Sequence, residues 1–415
     1  MSGPTAAATY GASLNPPSLD RPIPPFHHVS SSVRISPTSS VGTSPRTKIT
    51  PWSALSPDER AEMIRSVRLE TETLKREIAH LKNRCMDATL SDTAASTPGV
   101  PYYSHRMKQI FKGHSGKVYQ MRLTSDCQYL VSVGQDEFVI IWDAHSSQKV
   151  DAIQLSQSFA TTCAVNGICT RLAVGGLANS CSIYSLDDYD EQRTVSGSSS
   201  SKLQSRTPLA VIKGHSELIS EVIFVSDKHI ATCSSDMTIR IWDANRGEDV
   251  IRYDGHLGGV NAIVGNPTNH NLLGSVSVDR TVKLWDMRAR ISVNTFYGHF
   301  ADVNLVRFFP DGNTIVTSSD DGTIRFFDLR SDCQLDARYV DPSMSISALE
   351  FTPSGRVLLT AFTNGDCGGL DVLKGQWISS IEGHTGLISS ICVAPEGRVY
   401  TSSWDATLRS WHPVV

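Results

Sequence analysis

Residues 255–286 read GHLGGVNAIVGNPTNHNLLGSVSVDRTVKLWD, and the fold follows from how often this unit returns along the chain. Gly255-His256 opens it and Trp285-Asp286 closes it, with Asp279 six residues and Ser275 ten residues before the tryptophan. The same opening recurs at Gly113-His114, Gly214-His215, Gly298-His299 and Gly383-His384. The matching closures are Trp142-Asp143, Trp242-Asp243, Phe327-Asp328 and Trp411-His412. Each aromatic follows its histidine by 27 to 29 residues and has an aspartate six residues ahead of it, at Asp136, Asp236, Asp321 and Asp405 in these other units. Short alternating apolar and polar runs, such as Tyr129 to Val133 and Thr238 to Trp242, lie between turn residues and read as strands.

Histidines 215, 256 and 299 are 41 and 43 residues apart, 299 to 384 spans 85, and 114 to 215 spans 101. The first long gap is two periods and the second is two periods plus an insertion, which makes seven units. A period of 40 to 45 residues with these signatures is that of a WD-repeat propeller with four strands per blade. The expected fold is all-β, a seven-bladed propeller over residues 105–415 with a Ser-rich insertion at 187–208, preceded by a coiled-coil α-helix. Met107 to Phe111 is expected to supply the outer strand of the last blade and so close the ring.

Recurrence at fixed spacing argues for scaffold rather than catalysis. The expected structural sets are His114, Ser132, Asp136 and Trp142; His215, Thr232, Asp236 and Trp242; His256, Ser275, Asp279 and Trp285; His299, Thr317, Asp321 and Phe327; and His384, Thr401, Asp405 and Trp411. In each, aspartate, histidine, hydroxyl and tryptophan N–H can satisfy one another when buried. Blade two carries Ala178 and Tyr184 in place of aspartate and tryptophan, and blade six is expected to carry Gly365 and Asp371; both are expected to rely on packing.

Working outward to the N-terminus, residues 1–55 are rich in Ser, Thr, Pro and Ala without apolar periodicity and read as a disordered arm. A helix is expected over 56–86, with Ser56 as cap and Asp58 and Glu59 in its first turn. Its apolar seam holds Ile64, Thr71, Ile78 and Cys85 at one heptad position and Val67, Leu74 and Leu81 at the other. Three heptads are marginal alone, so the seam implies a partner helix, with homodimerisation or docking on the propeller as the alternatives. Residues 87–104 read as a linker. Ser36-Pro37, Ser44-Pro45, Thr50-Pro51 and Ser56-Pro57 offer proline-directed phosphorylation sites or arise by composition alone.

The 38 basic and 42 acidic side chains nearly balance, which gives no field for nucleic acid. Nine scattered cysteines without a C-x-x-C pair fit buried thiols in a reducing compartment. There is no apolar leader, no run of about 18 apolar residues and no prenylation cysteine, so membrane attachment is expected through a partner. No metal-ligand cluster, nucleophile elbow or phosphate loop is present; no cofactor, metal site or catalytic residue is expected, and an enzyme acting in the central funnel is the reading from another class.

A histidine–aspartate bond in each blade requires the Gly-His loop and the aspartate turn to share one end of the blade. Residues beside them therefore converge on one face, including Lys117, Tyr119, Asp302, Asn304, Asp320 and Trp404. Trp404 stands out, because other units place Gln135, Ser235, Val278 or Asp320 there, and an aromatic in a tight surface turn is better explained by a partner than by a core.

Repeats and helix together resemble the β subunit of heterotrimeric G proteins over about residues 58–411. The resemblance rests on Leu74-Lys75-Arg76-Glu77-Ile78, Asp87-Ala88-Thr89-Leu90, Gly113 to Tyr119, Gly175 to Tyr184 and Ser402-Ser403-Trp404-Asp405. It implies a γ subunit on the helix seam and a GDP-bound α subunit on the face, in competition with effectors. The implied contacts are Lys117, Tyr119, Leu177, Asn179, Asp302, Asn304, Asp320 and Trp404, with Phe159 where the family has tryptophan. Thr161, Gly259 and Asn261 also depart from the family pattern, and the long arm and insertion look fungal. The resemblance further implies receptor signalling from the cytoplasmic face of the plasma membrane, held there by a lipidated γ subunit. Another WD-repeat scaffold, such as a ribosome-associated adaptor or chromatin platform, is the alternative.

Overall fold

The computed structural model describes residues 57–85, 96–155, 159–186, 207–340 and 344–414. The arm, its Ser/Thr-Pro serines and threonine, and nearly all of the insertion lie outside the described residues. One helix, α1, runs Pro57–Cys85. Ile64, Val67, Thr71 and Leu74 are exposed on it, while the side chains of Ile78, Leu81 and Cys85 fall outside the described set.

The described chain from Tyr103 onward forms seven four-stranded antiparallel blades. Blade one consists of Val118–Leu123, Tyr129–Gly134, Phe138–Asp143 and Lys149–Gln154, paired in chain order. The same order recurs over residues 160–213, 219–254, 260–296, 303–339 and 346–381. Blade seven has Ile388–Val393, Val399–Ser403 and Thr407–Val414 from the C-terminal end, and its outermost strand is Tyr103–Lys112. The innermost strands adjoin one another in sequence, and the last adjoins the first, so the ring closes.

The closing strand is longer than expected. It pairs from Ser104 opposite Val414 to Lys112 opposite Thr407. It also begins within the stretch read as linker, where Tyr103 and Ser104 pair in parallel with Ser379 and Ser380 of blade six. Upstream residues are tied down too: Arg356 donates to the Pro98 carbonyl at 3.1 Å, and the Val100 N–H reaches Asp371 at 3.4 Å. Residues 98–104 thus strap blade six to blade seven, a long-range attachment that Pro98, Gly99 and Pro101 conceal from a compositional reading.

Seven buried apolar clusters are present among the described residues, and each draws on two neighbouring blades. Trp142 belongs to the cluster shared with blade seven, Trp242 to the one shared with blade two, Trp285 to that with blade three, Phe327 to that with blade four and Trp411 to that with blade six. Every signature aromatic therefore fills the interface with the preceding blade. Polar pins supplement the packing: Gln120 accepts from the Cys163 N–H at 2.6 Å, and Glu221 accepts from Ile263 N–H at 3.0 Å and from Arg122 at 2.7 Å.

Blade six corrects the expected register. Leu358 pairs with Leu370 and Val357 with Asp371, as Leu130 pairs with Trp142 and Tyr129 with Asp143 in blade one. Leu370 therefore stands at the tryptophan position and Asn364 at the aspartate position, not Asp371 and Gly365. Nor does the blade rely on packing alone, because Asp371, 1 % exposed, takes two bonds from Arg356 at 2.8 and 2.9 Å.

Candidate protein-docking face

Five side-chain chains set the geometry of the face. In blade one, His114 Nδ1 lies 3.0 Å from Asp136, His114 Nε2 lies 2.8 Å from Ser132 Oγ, and Trp142 Nε1 donates to the same hydroxyl at 2.8 Å. The matching His–Asp and His–hydroxyl distances in blades three, four, five and seven are 2.7 to 3.0 Å. Trp242, Trp285 and Trp411 close their chains at 2.7 to 2.8 Å. Phe327 has no N–H, so blade five stops at the Thr317 hydroxyl. A carboxylate can only accept, so Nδ1 carries the proton and Nε2 accepts from the hydroxyl, which accepts in turn from the indole.

Burial alone would lift the Asp236 carboxyl, but hydrogen bonds from Thr238, His215 and the Ser216 N–H outweigh it and hold the group at about 2. Asp321 sits at about 2 by the same balance, with burial opposed by Thr323, the Phe300 N–H and His299. Burial in turn pushes the His215 and His299 imidazoles down, against the pull of their aspartates. The result is a set of enclosed histidines whose hydroxyl partners are already spoken for, which is an arrangement for holding blades and not for attacking a substrate.

Blades two and six lack the chain, and their leftovers show it. The Tyr184 hydroxyl of blade two and the Thr360 hydroxyl of blade six are buried without a hydrogen-bond partner among the described residues. No group of three or more His, Cys, Asp or Glu side chains able to hold a metal occurs among the described residues.

Tight turns lie at one end of every blade, and in five of them the chains fix the turn. There the residue before the aspartate position donates its N–H to the residue before the innermost strand in all seven blades: Gln135 to Lys117, Leu177 to Phe159, Ser235 to Leu218, Val278 to Gly259, Asp320 to Asp302, Thr363 to Ser345 and Trp404 to Leu387, at 2.8 to 3.1 Å. This ring places the expected contact residues on one face in three groups. Lys117 of blade one meets Trp404 of blade seven, with the ammonium 3.8 Å from the ring centre. Phe159 and Leu177 form an exposed apolar pair on blade two, joined through their backbones. Asp302, Asn304 and Asp320 cluster on blade five, where Asn304 donates to Asp320 at 2.6 Å and receives Asn261 of blade four at 3.2 Å.

Tyr119 is partly buried against the cluster between blades one and two, and Asn179 turns to the Ser216 carbonyl at 3.0 Å. Both are thus braced as well as presented. Trp404 is 40 % exposed. The face offers a cation beside an indole at one sector, apolar side chains at the next and carboxylates further round, a pattern suited to a protein surface with complementary groups. Sequence reasoning missed Leu257, Tyr297 and Phe300 near this face, because side chains beside the Gly-His pair carry no repeat signal.

The model of a family described as G protein beta WD-40 repeat protein matches residues 61–412. The guanine nucleotide-binding protein subunit beta of Saccharomyces cerevisiae is 30% identical over 401 residues, covering 86% of this chain and 92% of the yeast protein. Its counterpart in Nicotiana tabacum is 35% identical over 73% of this chain and 83% of its own length, and that of Zea mays 34% identical over 72% and 81%.

Proposed function

The chain belongs to the family of G protein β subunits, WD-40 repeat proteins that serve as non-enzymatic scaffolds, and on that premise we propose that it pairs with a γ subunit through α1 and receives a GDP-bound α subunit on the tight-turn face. Its role is that of the β subunit of a heterotrimeric G protein. The observation that carries the face assignment is the Lys117–Trp404 pair, an exposed indole held over the rim by a cation. Nucleotide exchange on α uncovers the face, and effectors then engage overlapping residues. Occlusion is the switch, which suits a ring closed by seven interfaces and needs no change of shape in it.

Support for the γ assignment comes from α1, where Ile64, Val67 and Leu74 are exposed along the seam. A lipid-bearing γ subunit would hold the complex at the cytoplasmic face of the plasma membrane, where a receptor could act on it. Co-expression with candidate γ subunits tests this reading. Soluble yield and capture of α-GDP should both rise with the right γ; a stable monomer indifferent to every γ would overturn it.

A further inference from the structure

In the five blades with a complete histidine–aspartate pair, the residue after the histidine gives its N–H to that aspartate: Ser115, Ser216, Leu257, Phe300 and Thr385. The backbone does the same work each time, which leaves the side chain free to vary. Three blades use serine or threonine. The two adjacent blades four and five instead carry Leu257, 86% exposed, and Phe300, 77% exposed. Tyr297, just ahead of Gly298-His299, adds a third apolar body at 73% exposure. The same position holds Lys112, Lys213, Asp254 and Glu382 in the other units. Leu257 and Tyr297 line one cavity, and Phe300 directly follows His299 in its wall.

That cavity is a cleft of about 360 Å³ between the two Gly-His loops, lined by Leu257, Arg280, Lys283 and Tyr297 among others. Arg280 is exposed in the turn after Asp279, and Lys283 reaches Thr295 at 3.0 Å. Asp279, the acid in the cleft wall, is already committed to His256 at 2.8 Å. Arg325 lies 5.5 Å from the Phe300 ring centre. Grouped large apolar side chains edged by cations mark a site that is covered in use, and the cations select carboxylates beside the apolar anchor.

We propose that this ledge docks an acidic segment of a protein partner, with a leucine- or phenylalanine-type side chain entering the cleft and flanking Asp or Glu pairing with Arg280 and Lys283. The site is separate from the Lys117–Trp404 sector and does not depend on the α-subunit reading. Random dodecapeptides displayed on phage, selected against the purified full-length chain, test it. Selected sequences should place an aliphatic or aromatic residue between acids. Synthetic copies should lose roughly tenfold or more in affinity against the Leu257→Ser, Phe300→Ser double variant and against Arg280→Glu, and lose nothing against Trp404→Ala. Serine is what blades one and three already carry there, and an unchanged melting temperature confirms the variant folds. Selection of basic or neutral peptides, or affinity that survives the double variant, overturns the proposal. So does loss of self-association in that variant by sedimentation, since the occupant would then be a second copy of this chain.

Discussion

The Lys117 ammonium of blade one sits 3.8 Å above the ring of Trp404 in blade seven. The two residues meet across the seam between blades one and seven, so the most distinctive aromatic of the face is positioned by a contact between the first and last blades. A cation–π contact at an exposed site is worth about 0.5–1 kcal/mol, enough to orient the indole before a partner arrives.

Trp404→Ala should weaken α-GDP binding by roughly 2 kcal/mol or more, about thirtyfold in Kd, with the thermal transition unchanged because the residue is not in the core. Lys117→Ala should cost less on its own. The double variant should fall short of the sum by about 0.5–1 kcal/mol, because each single change already releases the other side chain. Titration calorimetry on the four proteins checks this, and full additivity would mean that the pair does not act as a unit.

Two buried threonines should behave in opposite ways. Thr401→Val strips the partner from both His384 Nε2 and Trp411 Nε1, and two orphaned polar groups cost about 2–5 kcal/mol together. Thr360→Val removes a buried hydroxyl that has no partner among the described residues, so it should be neutral or stabilising. Chemical denaturation of both variants gives the comparison; a large loss in Thr360→Val would reveal a hidden partner in blade six.

Acid should unfold the propeller in two stages. Burial lowers His215 and His299 below their unfolded value of about 6.5, so the unfolded chain binds the extra proton and stability falls as pH drops below that value. Asp236 and Asp321, held at about 2, contribute stability that is complete above the unfolded value of about 3.9 and disappears as pH falls toward 2. Urea midpoints from pH 8 to 3 should be flat above pH 7, begin to decline below about 6.5, and decline again below about 4. His215→Gln should flatten the upper decline, and an unchanged slope would remove that histidine from the account.

The sequence made the five chains legible because hairpin geometry fixes the spacing of Asp136, Ser132 and Trp142, and the same spacing then repeats. Blade six was misread by one residue because neither anchor is present there. A different marker does identify its register: the residue after the aspartate position has positive φ in all seven hairpins, at Glu137, Asn179, Met237, Arg280, Gly322, Gly365 and Ala406. Only two of the seven are glycine, so the pattern is a property of the backbone that residue types do not announce. The Arg356–Asp371 pair and the strap at 98–104 were invisible for a related reason, since both depend on contacts across 15 to more than 250 residues of chain.

That strap gives a test of closure. Arg356→Met leaves Asp371 buried without its main counter-charge, which should cost about 3–5 kcal/mol and release residues 98–104 from blade six. Asp371→Leu combined with Arg356→Met should recover most of the stability while leaving the strap loose, because the apolar pair has no charge to strand but also no bond for Val100 or Pro98. Hydrogen exchange at Val100 to Ser104 separates the two effects: it should stay fast in the double variant even when the melting temperature returns.

The helix seam supplies the last and most direct test of partnership. Leu74 is 51% exposed on α1, and burying such a side chain in a coiled coil is worth about 1.5–3 kcal/mol, whereas an aspartate there must be desolvated or excluded. Leu74→Asp should therefore abolish co-purification with γ and leave the propeller's own unfolding transition in place, since among the described residues the seven apolar clusters that hold the blades contain none of α1. Thr71→Val, at a seam position where a β-branched apolar residue favours two-stranded packing, should instead tighten the dimer. If Leu74→Asp still copurifies with γ, the seam does not carry the contact. If it melts the propeller, α1 is part of that domain's own core.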